Sequence, residues 1–278
     1  MERIFFKEAD DIIDIRHDSV FKAVFTRNSP ASKGALSRLV SALIGRELAI
    51  VTITANEPPV DNLRERQIRF DISCRTENDE LVNVEMSLNS APYEPIRLEY
   101  YASRLFTSQG IRGTDYIYDD LKHAYQITIL ATGRFFPDDD FFHSFEYYDP
   151  ERLVPLNGRT RIISLELSKL ERVVEKPVCE MSKSEQWAVF FEYLTDMEKR
   201  SRINEIVALE EGIAMASSVL VKVSKDEEER ARILRQEKTE MDWASYMAEA
   251  EEKGEQKIIE LLKSGKSPDE IIKEYANR

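Results

Sequence analysis

Between Arg66 and Ser90 the chain alternates apolar and polar residues twice. Ile68, Phe70, Ile72 and Cys74 alternate with Arg69, Asp71, Ser73 and Arg75. After the polar stretch Glu77-Asn78-Asp79-Glu80, Val82, Val84, Met86 and Leu88 alternate with Leu81, Asn83, Glu85 and Ser87. A period of two is the signature of a strand with two unlike faces, and Asn and Asp between the runs favour a turn, so the segment predicts a β-hairpin. Its apolar faces can pack on one layer, which leaves Asp71 and Glu85 on the opposite side. Pairing about a centre between Arg75 and Leu81 makes these two carboxylates near neighbours.

Elsewhere the period changes. Asp14 to Gly45 reads as helix broken at Arg27-Asn28-Ser29-Pro30, with Val20, Phe21, Val24 and Phe25 as an apolar stripe and Gly45 as the stop. Asp18 is expected to cap its first part, since a short acid accepts the free N–H groups of a helix start. Ile50 to Thr54 is a β-branched strand, and Asn56 to Glu65 a loop. A helix is expected from about Ile96 to Gln109, then a buried strand in AYQITILA (Ala124 to Ala131). Two further strands follow, Phe141 to Tyr148 and Thr160 to Leu167. Ser182 and Glu185 have capping-box spacing and open a helix bearing Trp187, Phe190, Phe191 and Leu194. Ile203 to Val223 reads as one long helix and Lys225 to Gln256 as a heavily charged one. Ser267-Pro268-Asp269-Glu270 caps a last short helix. The order is αβββαβ with a helical sequel, giving an α/β domain over about 1–170 and a helical region over 171–278.

The 278 residues, 42% hydrophobic, suffice for a core in one domain or one domain with an appendage. Cys74 and Cys179 lie too far apart in sequence to suggest zinc spacing, and His17, His123 and His143 are not at ligand spacing. No run of 18 apolar residues occurs and MERIFFKEADD lacks a leader's apolar stretch, so no membrane and a cytoplasmic location are expected. A net charge of −13 argues against a surface that coats nucleic acid, yet a local basic groove would serve an enzyme acting on DNA.

Two acids on adjacent strands are how a protein builds a site for a hard cation such as Mg²⁺. The plainer reading makes Asp71 and Glu85 solvent-facing acids on a half-exposed sheet, paired with Arg69 or Arg75. An Asp in one strand, a hairpin, then Glu-x-(Lys/Gln) in the next resembles the PD-(D/E)XK nuclease signature. VNVEMS (Val82 to Ser87) is similar to the corresponding strand of its recombination-promoting nuclease/putative transposase branch. HDSVFKAVF (His17 to Phe25), RLEYYASRLF (Arg97 to Phe106), the Trp187 segment and EAEEKGEQK (Glu249 to Lys257) resemble other parts of that branch.

The resemblance implies a restriction-endonuclease-like α/β fold with a mixed sheet, and Mg²⁺-dependent cleavage of DNA in transposition or recombination. Mn²⁺ is the alternative ion. It implies that Asp71 and Glu85 bind the metal with the Met86 carbonyl, that Asp18 lies close by, and that Arg97 and Arg104 meet DNA phosphates. For the two arginines, salt bridges to Glu94 or Glu99 are the plainer reading, and Lys22 reads as a solvated helix residue. Ser87 stands where the family carries Lys or Gln. The resemblance keeps it among the catalytic residues with Asp71, Glu85 and Asp18, as a hydroxyl able to hold a water, and its shorter, uncharged side chain leaves a slow enzyme and a dead one both open. The other-class alternative is a silent relative acting as a DNA- or protein-binding scaffold, oligomeric through its C-terminal helices.

Overall fold

The computed structural model describes residues 3–8, 10–54, 70–88, 91–110 and 117–226, with short pieces between 230 and 268. The chain forms two compact units, Met1–Glu227 and Glu228–Arg278. All elements below belong to the first. In order they are α1 (Asp18–Phe25), α2 (Pro30–Ile44), β1 (Ile50–Ile53), β2 (Ile72–Thr76), β3 (Leu81–Ser87), α3 (Glu94–Thr107), β4 (Ala124–Leu130), β5 (Phe142–Phe145), β6 (Tyr148–Asp149), β7 (Val154–Pro155), β8 (Thr160–Glu166), α4 (Lys183–Tyr193), α5 (Arg200–Leu209) and α6 (Glu211–Lys225).

Six strands form one mixed sheet in the order β1-β2-β3-β4-β8-β5, and β6 and β7 form a separate ribbon. The four-residue turn after β2 allows only an antiparallel partner, and β2 and β3 pair as the expected hairpin. A parallel partner needs a crossover, which α3 supplies between β3 and β4. β8 continues the parallel set, and β5 closes the edge antiparallel to it. The expected αβββαβ order and mixed sheet are therefore present.

Every residue of β3 and of β4 is buried. This overturns the half-exposed sheet: the centre is covered on both faces, which is how strands flanked by crossover helices are normally found. α3 lies against β3, β4 and β8 and buries Leu98, Ala102 and Leu105. α1 and α2 pack against α6, and α2 also against α4. The expected stripe of α1 is buried whole. Phe21 meets Phe25 at 4.9 Å between ring centres, Phe25 meets Trp187 at 6.0 Å, and Trp187 meets Phe191 at 5.6 Å. Such pairs add about 0.5–1.5 kcal/mol each beyond the area they bury. The cluster holds α1 firmly enough to fix what its other face presents.

Local signals at the helix ends were mostly legible. Ser29 accepts the Ser32 N–H with Pro30 opening α2, and Gly45, at φ +85°, closes it. Ser182 and Glu185 form the expected box at the start of α4. Asp18 is different: it is the first residue of α1 rather than its cap, which falls at His17, and its carboxylate turns to Lys22. The long helix expected over Ile203 to Val223 is two helices. Glu210 breaks it with an extended backbone (φ −96°, ψ 115°) and caps α6 by accepting the Gly212 N–H. Most of the charged segment Lys225 to Gln256, with Trp243, and Asp269 and Glu270 of the last cap lie outside the described residues. Among the described residues no helix is long and apolar enough to cross a membrane.

Gly212 sits where α6 meets α2 and α4. A Cβ there would fall 2.4 Å from Arg38 Cβ and 3.1 Å from Trp187 Cζ2, so two helices would have to part. Gly212→Ala is expected to destabilise the fold by about 1–3 kcal/mol, the usual cost of overpacking, despite alanine's better helix propensity. A lowered midpoint in thermal denaturation checks this.

Candidate active site

The hairpin register places the acids. β2 and β3 pair Ile72 with Val84 and Arg75 with Leu81. Carried one residue beyond β2, that register sets Asp71 beside Glu85. The contacts agree: the Asp71 N–H donates to Glu85 Oε1 at 3.0 Å, and the Met86 N–H donates to Asp71 Oδ2 at 3.1 Å. Each carboxylate thus accepts a backbone N–H from beside the other. The Ser87 carbonyl turns toward β4, where it accepts the Ala131 N–H at 2.9 Å. Alternation along a strand then turns the Met86 carbonyl toward β2, the side on which Asp71 lies.

Glu85 is 2% exposed, so it is no solvated surface acid. Its Oε1 also accepts from Asn83 Nδ2 at 2.9 Å. The same Nδ2 donates to Gln126 Oε1 at 2.8 Å, and Gln126 Nε2 donates to Thr128 Oγ1 at 3.0 Å. Asn83, Gln126 and Thr128 are all buried. They share a face with Glu85 because β3 and β4 pair Asn83 with Gln126 and Glu85 with Thr128. This row of amides holds the carboxylate in one orientation inside the sheet.

Two cations flank the acids from different helices. Lys22 Nζ lies 3.1 Å from Asp71 Oδ1 and 2.6 Å from Asp18 Oδ1. Arg97, in the first turns of α3, lies 2.8 Å from Glu94 and 3.5 Å from Glu85 Oε2, and its guanidinium sits 4.9 Å from the centre of the Tyr101 ring. Arg97 therefore makes the Glu94 salt bridge anticipated as the plainer reading, and reaches the candidate site as well. Arg104, half-buried, stands about 10 Å further along the axis of α3. Tyr101 packs on Phe70 at 5.7 Å, whereas Tyr100 is exposed. Arg75 donates to the Asp79 carbonyl, and Arg69 lies outside the described residues. Ser87 is buried at the end of β3.

Burial governs the charge of the pair. It raises the Asp71 carboxyl, with the negative charge of Asp18 adding to it and Lys22 and the Met86 N–H opposing. Burial and then the charge of Asp71 push Glu85 up to about 8, against the donors Asn83 and Asp71 N–H and the charge of Arg97. Two carboxyls held together against their own repulsion are a common mark of a functional centre. Their oxygens and the Met86 carbonyl are hard donors of the kind Mg²⁺ takes. Among the described residues no group of three or more His, Cys, Asp or Glu side chains is placed to hold a metal, so an ion here would take two carboxylates, a carbonyl and water.

An acid pair bridged across a hairpin, in a mixed sheet with a helix crossover, defines a nuclease-like α/β protein of the restriction-endonuclease type. The profile of the PD-(D/E)XK nuclease family transposases matches residues 15–250, and the chain belongs to that family. Membership supports a nuclease or transposition-related role and an interaction with DNA, and enzymes of this kind generally use divalent metal ions. The chain has no significant match among curated proteins or among solved structures.

Two residues escaped sequence reasoning. Lys22 resembles any solvated helix lysine, because nothing local shows that α1 abuts the hairpin. Gln126 did carry a signal, as a lone amide inside the otherwise apolar AYQITILA.

The raised carboxyl has a measurable consequence. Folded Glu85 keeps its proton between the ordinary glutamate range and about 8, where the unfolded chain releases it. The metal-free protein should lose stability as pH rises through that window. Glu85→Gln removes the loss. In EDTA the variant should melt close to wild type near about pH 5.5 and higher near about pH 8.5, by at least about 3 °C, which roughly 1 kcal/mol gives in a domain of this size.

Proposed function

We propose that the protein is a Mg²⁺-dependent DNA endonuclease acting in transposition or recombination, with Asp71, Glu85 and the Met86 carbonyl as its metal ligands. The observation that carries this reading is the interlocked pair of half-buried Asp71 and buried Glu85, side by side with both carboxyls raised above their ordinary range. A sheet gains no stability from two repelling acids at its centre, and their value lies in meeting a cation.

A divalent ion held by Asp71, Glu85 and the Met86 carbonyl would supply Lewis-acid chemistry, polarising the scissile phosphate and lowering the pKa of water. The chain's own residues do the rest. Asn83 fixes the Glu85 carboxylate through a donor that water cannot replace, and the Met86 N–H fixes Asp71. Arg97 offsets charge at Glu85 and Glu94, so an anionic backbone can approach two buried acids. Arg104, further along α3, contacts a flanking phosphate. In the reaction a water oxygen bonds to phosphorus as the bond from phosphorus to the leaving sugar oxygen breaks. The attacking water gives up a proton and the leaving oxygen gains one from solvent. At a net charge of −13 such local cations, and not the whole surface, must draw the substrate in.

Purified protein is expected to nick supercoiled duplex DNA with Mg²⁺ or Mn²⁺ and not with EDTA. Asp71→Ala should lower the rate by roughly 10²–10³-fold or more. Wild-type cleavage no greater than the variant's background would remove the enzyme and leave a scaffold.

A further inference from the structure

Ser87 occupies the position two residues after Glu85, where the family places Lys or Gln, and its short side chain carries no charge. From α1, however, the Lys22 ammonium reaches Asp71 Oδ1 at 3.1 Å. We propose that Lys22 takes over the duty of the missing strand lysine: in the loaded enzyme it leaves Asp71 and binds the attacking water and the phosphate oxygens. This rests on the nuclease reading and goes beyond it, because it assigns the charge to a residue outside the motif.

Three features single out Lys22. Its helix is fixed, with Val20, Phe21, Val24 and Phe25 fully buried and the two phenylalanines packed on Trp187 and Phe191, so the lysine stem starts from a defined point. Its side chain is 26% exposed, so the ammonium touches both the half-buried Asp71 and the solvent from which DNA must arrive. It is also movable. Lysine carries a compact charge on a flexible stem with three donors, whereas Arg97 is committed to buried Glu94 and to the Tyr101 ring. In the metal-free protein the ammonium stands as a cation at Asp71. An arriving divalent ion would take that place, and Asp18, 2.6 Å away on the preceding turn of α1, would keep the displaced lysine close by. The charge then lies where negative charge develops on the phosphate oxygens during attack.

The test pairs a binding measurement with cleavage. Lys22→Met should lower the cleavage rate by roughly 10²–10³-fold. Its Mn²⁺ affinity, measured by calorimetry without DNA, should be unchanged or several-fold tighter, because a competing positive charge has gone. Lys22→Arg should retain part of the rate. Lys22→Met combined with Ser87→Lys should recover at least about tenfold over Lys22→Met alone, as a charge returned to the strand position. Loss of Mn²⁺ binding together with cleavage in Lys22→Met would show a structural lysine and overturn the assignment. So would cleavage within about threefold of wild type. If wild type and Lys22→Met cleave alike while Asp71→Ala does not, only the lysine assignment fails. A silent wild type removes the nuclease reading and the lysine assignment with it.

Discussion

The structure turns on the cost of holding two carboxylates between strands of a covered sheet. In water Asp71 and Glu85 would repel weakly; under helices, where the effective dielectric constant is far lower, the repulsion is strong and neither acid keeps full hydration. The fold answers with donors rather than with space. Backbone N–H groups of Asp71 and Met86 cross between the strands, Asn83 supplies a side-chain donor, and α1 and α3 each bring a cation. Remove any of these and a buried charge is left short of a partner, which is costlier than losing an ordinary hydrogen bond.

The helices fall into place around that requirement. The parallel step from β3 to β4 demands a crossover, and α3, which serves as the crossover, begins seven residues after Ser87. Its first turns therefore lie close to the end of β3, and Arg97 meets Glu85 as a consequence of chain connectivity. Lys22 arrives by another route. Its helix is joined to the sheet through tertiary packing, with aromatic rings of α1 and α4 locking one face while the other turns to Asp71.

The hairpin and its register were legible because alternation around a polar turn admits few alternatives, and Asp71 beside Glu85 follows from it. Trp187 in the core and the capping box of α4 were equally local. What escaped was tertiary. Burial of both faces of β3 depends on helices far away in sequence, so Leu81, Asn83, Glu85 and Ser87 read as an outward face when they lie under α3. The break at Glu210 escaped because glutamate favours helix, and its capping of Gly212 appears only once α6 packs tightly on Arg38 and Trp187. Lys22 escaped for the same reason, since a lysine's partner is set by whatever surface its helix meets.

The row from Asn83 through Gln126 to Thr128 binds these positions into one hydrogen-bonded unit. Its donors run in sequence, from Gln126 to Thr128 and from Asn83 to both Gln126 and Glu85. An apolar side chain at Gln126 alone would leave one of the two Asn83 N–H donors without its acceptor in a dry interior, with only Glu85 left to hold that amide. Holding the buried acid in this orientation therefore ties the choice of side chain on β3 to the one beside it on β4.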